Sequence, residues 1–200
     1  FMIRYLRKWR KYMFELINET NYTIHDSIIE MEALPQSDLI CSCRTGNMLH
    51  NAPMLVKEMT GDFQIVAKMS HEFKSLFDAT GLVIYENEKL WAKAAFECSN
   101  TDTYTAVSVM TNGLSDDCNH ADVDTKEIWM RLNKMGNVIS VQYSLDGENW
   151  IFMRICHIPF TSDTVKAGFI AQSPSGDGGT FIFKDYSIKN RTFKAIRKGE

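Results

Sequence analysis

The run V-I-S-V-Q-Y-S-L-D-G-E-N-W-I-F-M-R-I at 138–155 constrains the fold most tightly. Ile139, Val141, Tyr143 and Leu145 alternate with Ser140, Gln142, Ser144 and Asp146. Period-two alternation puts one face of a strand in a core and the other in a polar setting. Asp146-Gly147-Glu148-Asn149 follows, a turn rich in residues that tolerate positive φ, and then a second apolar strand led by Trp150. The stretch is a β-hairpin, and nothing in it is catalytic.

Strand signals recur at short intervals: 28–33, 39–43, 63–69, 81–86, 91–98, 104–111, 128–132, 138–145, 150–155, 165–172 and 180–188. About eleven or twelve strands with turn chemistry between them form the pattern of a sandwich or barrel. Helix is scarce, with one short candidate at 70–77, capped by Ser70. Long loops are expected at 45–59 and 112–126, and a glycine-rich one at 173–179. A chain of 200 residues suits one all-β domain and needs no disulfide or metal to complete a core.

The formal net charge of −3 argues against nucleic acid as a partner. No apolar run is long enough for a membrane span. Residues 1–12 carry Arg4, Arg7, Lys8, Arg10 and Lys11 with no apolar run behind them. They are expected to be a basic appendage, with a single sandwich domain at 13–200. Cys41, Cys43, Cys98, Cys118 and Cys156 are odd in number and irregular in spacing. They read as reduced, mostly buried thiols of a cytoplasmic protein, with Cys118 the most exposed.

Seven motifs then occur in order: T-G-D-F (60–63), F-D-A-T-G-L-V-I-Y (77–85), W-A-K-A-A-F-E (91–97), S-V-M-T-N-G-L-S-D (108–116), W-M-R-L (129–132), V-Q-Y-S-L-D-G-E-N-W (141–150) and A-Q-S-P-S-G-D-G-G-T-F-I-F-K-D-Y-S-I (171–188). On these the chain resembles the DUF1349 family over roughly 13–189. The resemblance implies an all-β, concanavalin A-like jelly-roll β-sandwich of two antiparallel sheets, one of them concave. It implies no established activity. Members often have S-D-W-S where this chain has Ser115-Asp116-Asp117-Cys118, so any stacking role of that tryptophan is absent.

Within that frame the strand at 91–98 is the most unusual. Ala92, Ala94, Phe96 and Cys98 make an apolar face, and Trp91, Lys93, Ala95 and Glu97 make the other. A flat ring, a cation and a carboxylate around a small residue suit a sugar platform: the ring stacks while the charges bond hydroxyls. Arg131 is expected to join this concave surface, with Thr111, Asp116 and Gln172 from strand ends. The plainer reading is a charge ladder between neighbouring strands.

Catalysis has little support. Glycosidases need a carboxylate pair, and Glu97 stands alone on its strand; a partner from Asp116 or Glu86 has no motif behind it. The histidines lack zinc-ligand spacing, and the 176–179 glycines precede a strand and not a helix. Asp116, Asp117, Asn119, Asp122 and Asp124 suit calcium in composition but lack the EF-hand order. No cofactor or metal is expected. The first functional expectation is therefore non-catalytic binding of a carbohydrate or polar metabolite. The alternative is a protein-interaction or regulatory module, and a glycan-active hydrolase comes third.

Overall fold

The computed structural model describes residues 14–72, 74–99 and 103–200; the expected basic appendage lies outside them. Sheet A has seven antiparallel strands in the order β1 (Glu15–Ile17), β6 (Met54–Thr60), β15 (Thr164–Gln172), β8 (Ala79–Asn87), β9 (Leu90–Cys98), β10 (Tyr104–Asn112) and β11 (Leu114–Asp122). Sheet B also has seven, in the order β14 (Ile151–His157), β13 (Val138–Ser144), β12 (Glu127–Met135), β7 (Phe63–His71), β16 (Gly179–Asn190), β3 (Ile28–Ala33) and β2 (Tyr22–His25). A short ribbon of β4 (Leu39–Cys41) and β5 (Met48–His50) is laid on the outer face of sheet A.

The main core lies between the sheets. Ala92, Ala94 and Phe96 of β9 face it, with Leu82 and Ile84 of β8 and Phe169 of β15. From sheet B come Ile65, Ala67, Met130, Leu132, Ile139, Val141 and Phe183. Phe169 carries the contact between layers: its ring lies 4.8 Å from Phe183, 5.2 Å from Tyr186 and 5.8 Å from Phe14. A second core sits outside sheet A, where Leu39 and Ala52 cover Met54, Val56, Val83, Tyr85, Trp91, Ala95 and Val109.

The 138–155 hairpin folds as its pattern demands, as β13 and β14. Asp146 holds its turn, its carboxylate accepting the amides of Glu148 (2.8 Å) and Asn149 (2.7 Å). Gly147 has φ +81°, and a Cβ there would stand 2.9 Å from the Trp129 ring.

Each expected strand interval holds a strand, and β1, β2, β5, β6 and β11 are additional. β6 escapes the alternation test because both its faces are covered: Leu55 points into the main core, Met54 and Val56 into the second. The supposed 112–126 loop is largely β11, a polar edge strand joined to β10 at Asn112-Gly113, with Gly113 at φ +79°. No helix forms in the described part of 70–77, because Ser70 continues the ladder, opposite Glu127 and Ile182.

Phe169 is fully buried against Phe14, Phe183 and Tyr186. Phe169→Ala is expected to cost about 3–5 kcal/mol of unfolding free energy in urea titrations with an unchanged slope. A loss under ~1 kcal/mol would contradict this packing.

Candidate functional site

β9 lies between β8 and β10, so its outward side chains form rows with theirs. Trp91 stands beside Tyr85 and Thr111, Lys93 beside Val83 and Val109, and Glu97 beside Ala79 and Thr105. β11 extends the rows with Ser115 opposite Thr111 and Asp117 opposite Val109. Gln172, at the end of β15, pairs with Ala79.

Lys93 is 2% exposed. Its Nζ donates to Gln172 Oε1 (2.7 Å) and to the Leu39 carbonyl (3.0 Å), with the Asp38 carboxylate at 3.8 Å. A buried ammonium needs such partners, and these tie the start of the ribbon to the middle of sheet A. At the other end, the Ser115 hydroxyl accepts the Cys41 amide (2.8 Å) and bonds the Thr111 hydroxyl (2.7 Å). The ribbon is thus pinned across the face from β15 to β11.

Glu97 has no such satisfaction. It is 8% exposed, yet its carboxyl makes no hydrogen bond with another described residue. Desolvation pushes its pKa up to about 8; Lys93 opposes this, and Asp117 and Asp38 reinforce it. At neutral pH the group is mostly a neutral acid, able to donate one hydrogen bond and accept others. Asp117 is at the exposed edge, and its pKa is also raised, first by desolvation and further by Asp38 and Asp116, against Lys93 and the Cys118 amide. Lys93, Glu97, Asp117 and Asp38 therefore form one electrostatically linked group on the outer face of sheet A.

Of the residues singled out in the sequence, Trp91, Lys93, Glu97, Thr111 and Gln172 share this face. Trp91 and the residues that lie elsewhere correct the expectation. Trp91 is 0% exposed beneath the ribbon, its Nε1 donating to the Glu88 carbonyl (3.2 Å), so its ring offers no stacking surface. Arg131 belongs to sheet B, not to this surface, because β12 pairs with β7 and β13. Asp116 points to the other side of β11 and bridges the sandwich edge to Arg154 (2.6 Å). Glu86 accepts the amides of Thr161 (2.8 Å) and Ser162 (2.9 Å), away from Glu97. Cys43, not Cys118, is the exposed thiol; Cys118 is half-buried.

Asp117 was missed by one position. The signal was present: a tight Asn112-Gly113 hairpin puts Thr111 opposite Ser115, and hence Asp117 on the face of Lys93. The depression of about 480 Å³ on sheet B, lined by Ser70, Lys74, Glu127 and Thr180, offers less. Its Glu127 is already held by Lys68 and Lys184, each at 2.6 Å.

Two stacked seven-stranded antiparallel sheets with a small ribbon over one outer face make this a concanavalin A-like β-sandwich. The chain belongs to the DUF1349 family, described as proteins of unknown function, whose model matches residues 16–191. It is similar to "Regulation of enolase protein 1" of Saccharomyces cerevisiae, at 27% identity over 135 residues, covering 67% of each chain. Its fold is that of a functionally unknown protein from Saccharomyces cerevisiae, with TM-score 0.82, 23% identity, and 90% of this chain and 97% of that one covered. The exoplasmic/lumenal domain of VIP36 in its Ca²⁺/Man3GlcNAc-bound form shares the fold at TM-score 0.55 and 7% identity, covering 94% and 88%.

The raised pKa of Glu97 has a sign that can be measured. Between the ordinary carboxyl value of 4.5 and about 8 the folded chain holds a proton that the unfolded chain has lost. Stability therefore falls as pH rises through this window, by up to one proton's slope. Glu97→Gln removes that dependence, so its melting temperature should exceed that of the native chain increasingly from pH 6 to 9. Parallel curves would contradict the assignment. His120, whose pKa is lowered by desolvation and by Arg154, contributes with the opposite sign below its ordinary value, and equally in both proteins.

Proposed function

We propose that the domain is a non-catalytic binding module for a hydroxyl-rich small ligand, a carbohydrate or a related polar metabolite, received on the outer face of sheet A. The observation that carries this reading is Glu97: a carboxyl 8% exposed, without a hydrogen bond to a described residue, beside a buried lysine and an edge aspartate. A sugar hydroxyl both donates and accepts. A neutral Glu97 does the same, and the Asp117 carboxyl offers further acceptor oxygens. Trp91 is packing beneath the ribbon, further along β9, and Trp91→Ala would destabilise the sandwich along with any binding.

A glycosidase needs two carboxyls flanking one bond, and β9 carries Glu97 as its single carboxylate, with Asp117 two strands away and four residues out of step. This favours binding over hydrolysis. The sugar-bound VIP36 domain shows that a sandwich of this shape can serve such a role, which is support by analogy of fold. A reducing, cytoplasmic setting is part of the proposal, supported by Cys41, Cys43, Cys118 and Cys156, none of them in a disulfide. A protein-interaction role is the second reading, favoured by a stretch of chain bound on the outer face of sheet B.

A thermal-shift screen against mono- and oligosaccharides and sugar phosphates tests the binding role. A ligand at 100 times its Kd stabilises by about 2.7 kcal/mol, a rise of roughly 5–10 °C for a chain of this size. A selective hit should be lost in Glu97→Ala and weakened in Asp117→Asn. A flat screen, or equal shifts in all three proteins, would overturn the proposal.

A further inference from the structure

The outer face of sheet B is also covered, by a segment a few residues beyond the family match. Residues 196–199 cross β12 and β13 with a 3-10 turn at Ile196–Lys198. Their main-chain carbonyls are read one after another. Ser140 Oγ donates to Ile196 (2.7 Å), Gln142 Nε2 to Arg197 (3.1 Å), Arg131 Nη2 to Lys198 (2.6 Å) and Gln64 Nε2 to Gly199 (3.2 Å). These donors are held ready by the sheet itself: the Arg131 guanidinium lies 4.1 Å over the Trp150 ring, and its Nε donates to Gln142 Oε1 (2.9 Å).

Two features select the occupant. The Arg197 guanidinium lies 4.8 Å over the Phe152 ring. Gly199 has φ +64°, and a Cβ there would stand 2.5 Å from the Arg131 guanidinium carbon. A glycine is required where a left-handed backbone passes over a pinned side chain. The segment buries little of its own: Arg197, Lys198 and Glu200 are exposed. Hydrogen bonds to main-chain carbonyls hold it, and such a contact opens more easily than a packed strand.

We propose that the outer face of sheet B is a peptide-docking surface, occupied here by residues 196–199 of the chain itself and open to a partner segment of the same chemistry: a basic residue, any residue, then a glycine in a left-handed turn. The chain's own segment competes with that partner and lowers its apparent affinity by the fraction of time the face is open. The site is on the opposite sheet from Glu97, so the two proposals stand or fall separately.

The test uses a fluorescein-labelled peptide of residues 191–200, R-T-F-K-A-I-R-K-G-E, and the full chain. Gly199→Val should unseat the internal segment, since a β-branched residue is strained at this φ. Fluorescence anisotropy should show the peptide binding this variant at least about tenfold more tightly than the native chain. The same peptide with valine for glycine should not bind. Absence of binding to a folded Gly199→Val protein, or equal binding to both proteins, overturns the proposal. Should the variant not fold, hydrogen exchange in the native chain decides. Faster exchange of the Lys198 and Gly199 amides than of β12 and β13 supports a displaceable segment, and exchange only through global unfolding refutes it.

Discussion

A lysine ammonium cannot be left bare inside a protein, and the arrangement of sheet A's outer face follows from that constraint. Lys93 sits mid-strand, 2% exposed, and its partners are the Leu39 carbonyl, Gln172 and Asp38. Satisfying it draws the β4–β5 ribbon onto the sheet, which buries Trp91 and creates the second apolar core. The same charge stands near Glu97 without bonding it. Desolvation then outweighs the attraction of Lys93, and the acid stays neutral well above its ordinary range. Structure and candidate chemistry thus share one cause.

Strand parity was legible in the sequence because the β9 pattern is unambiguous: Ala92, Ala94 and Phe96 reach the main core, while Trp91, Lys93 and Glu97 face away. The sandwich-or-barrel class was legible too, through recurring turn chemistry, and the family resemblance narrowed it to a jelly roll. What lies over a face was not. Trp91 reads as a stacking platform only while its cover is unknown, and that cover is set by Leu39 and Ala52, more than thirty residues away in sequence. Sheet membership is equally non-local. β12 joins β7 and β13, so Arg131 meets Trp150 and Lys198 instead of Glu97. The exchange of Asp116 for Asp117 is different in kind. Asn112-Gly113 marks the hairpin, and reading 112–126 as a loop lost the parity that assigns Asp117 to the site.

The two outer faces have the same logic with different covers. A sheet whose outer face carries buried polar groups must be met by something that bonds them. On sheet A the ribbon does so, pinned at Lys93 and Ser115, and leaves Glu97 unmet. On sheet B the 196–199 segment does so, carbonyl by carbonyl. The family's core, as matched over 16–191, ends a few residues before that segment. Both proposed binding faces thus lie on the outer sides of the sheets, away from the contact between Phe169 and Phe183.

The central claim is that Glu97 is a neutral, ligand-facing acid at physiological pH. Carbon-13 NMR of the glutamate side-chain carboxyls tests it directly, with Glu97→Gln to assign the signal. The account predicts a Glu97 carboxyl titrating near 8, and moving when a sugar that stabilises the protein is added. A midpoint near the ordinary 4.5, unmoved by any such sugar, would contradict it.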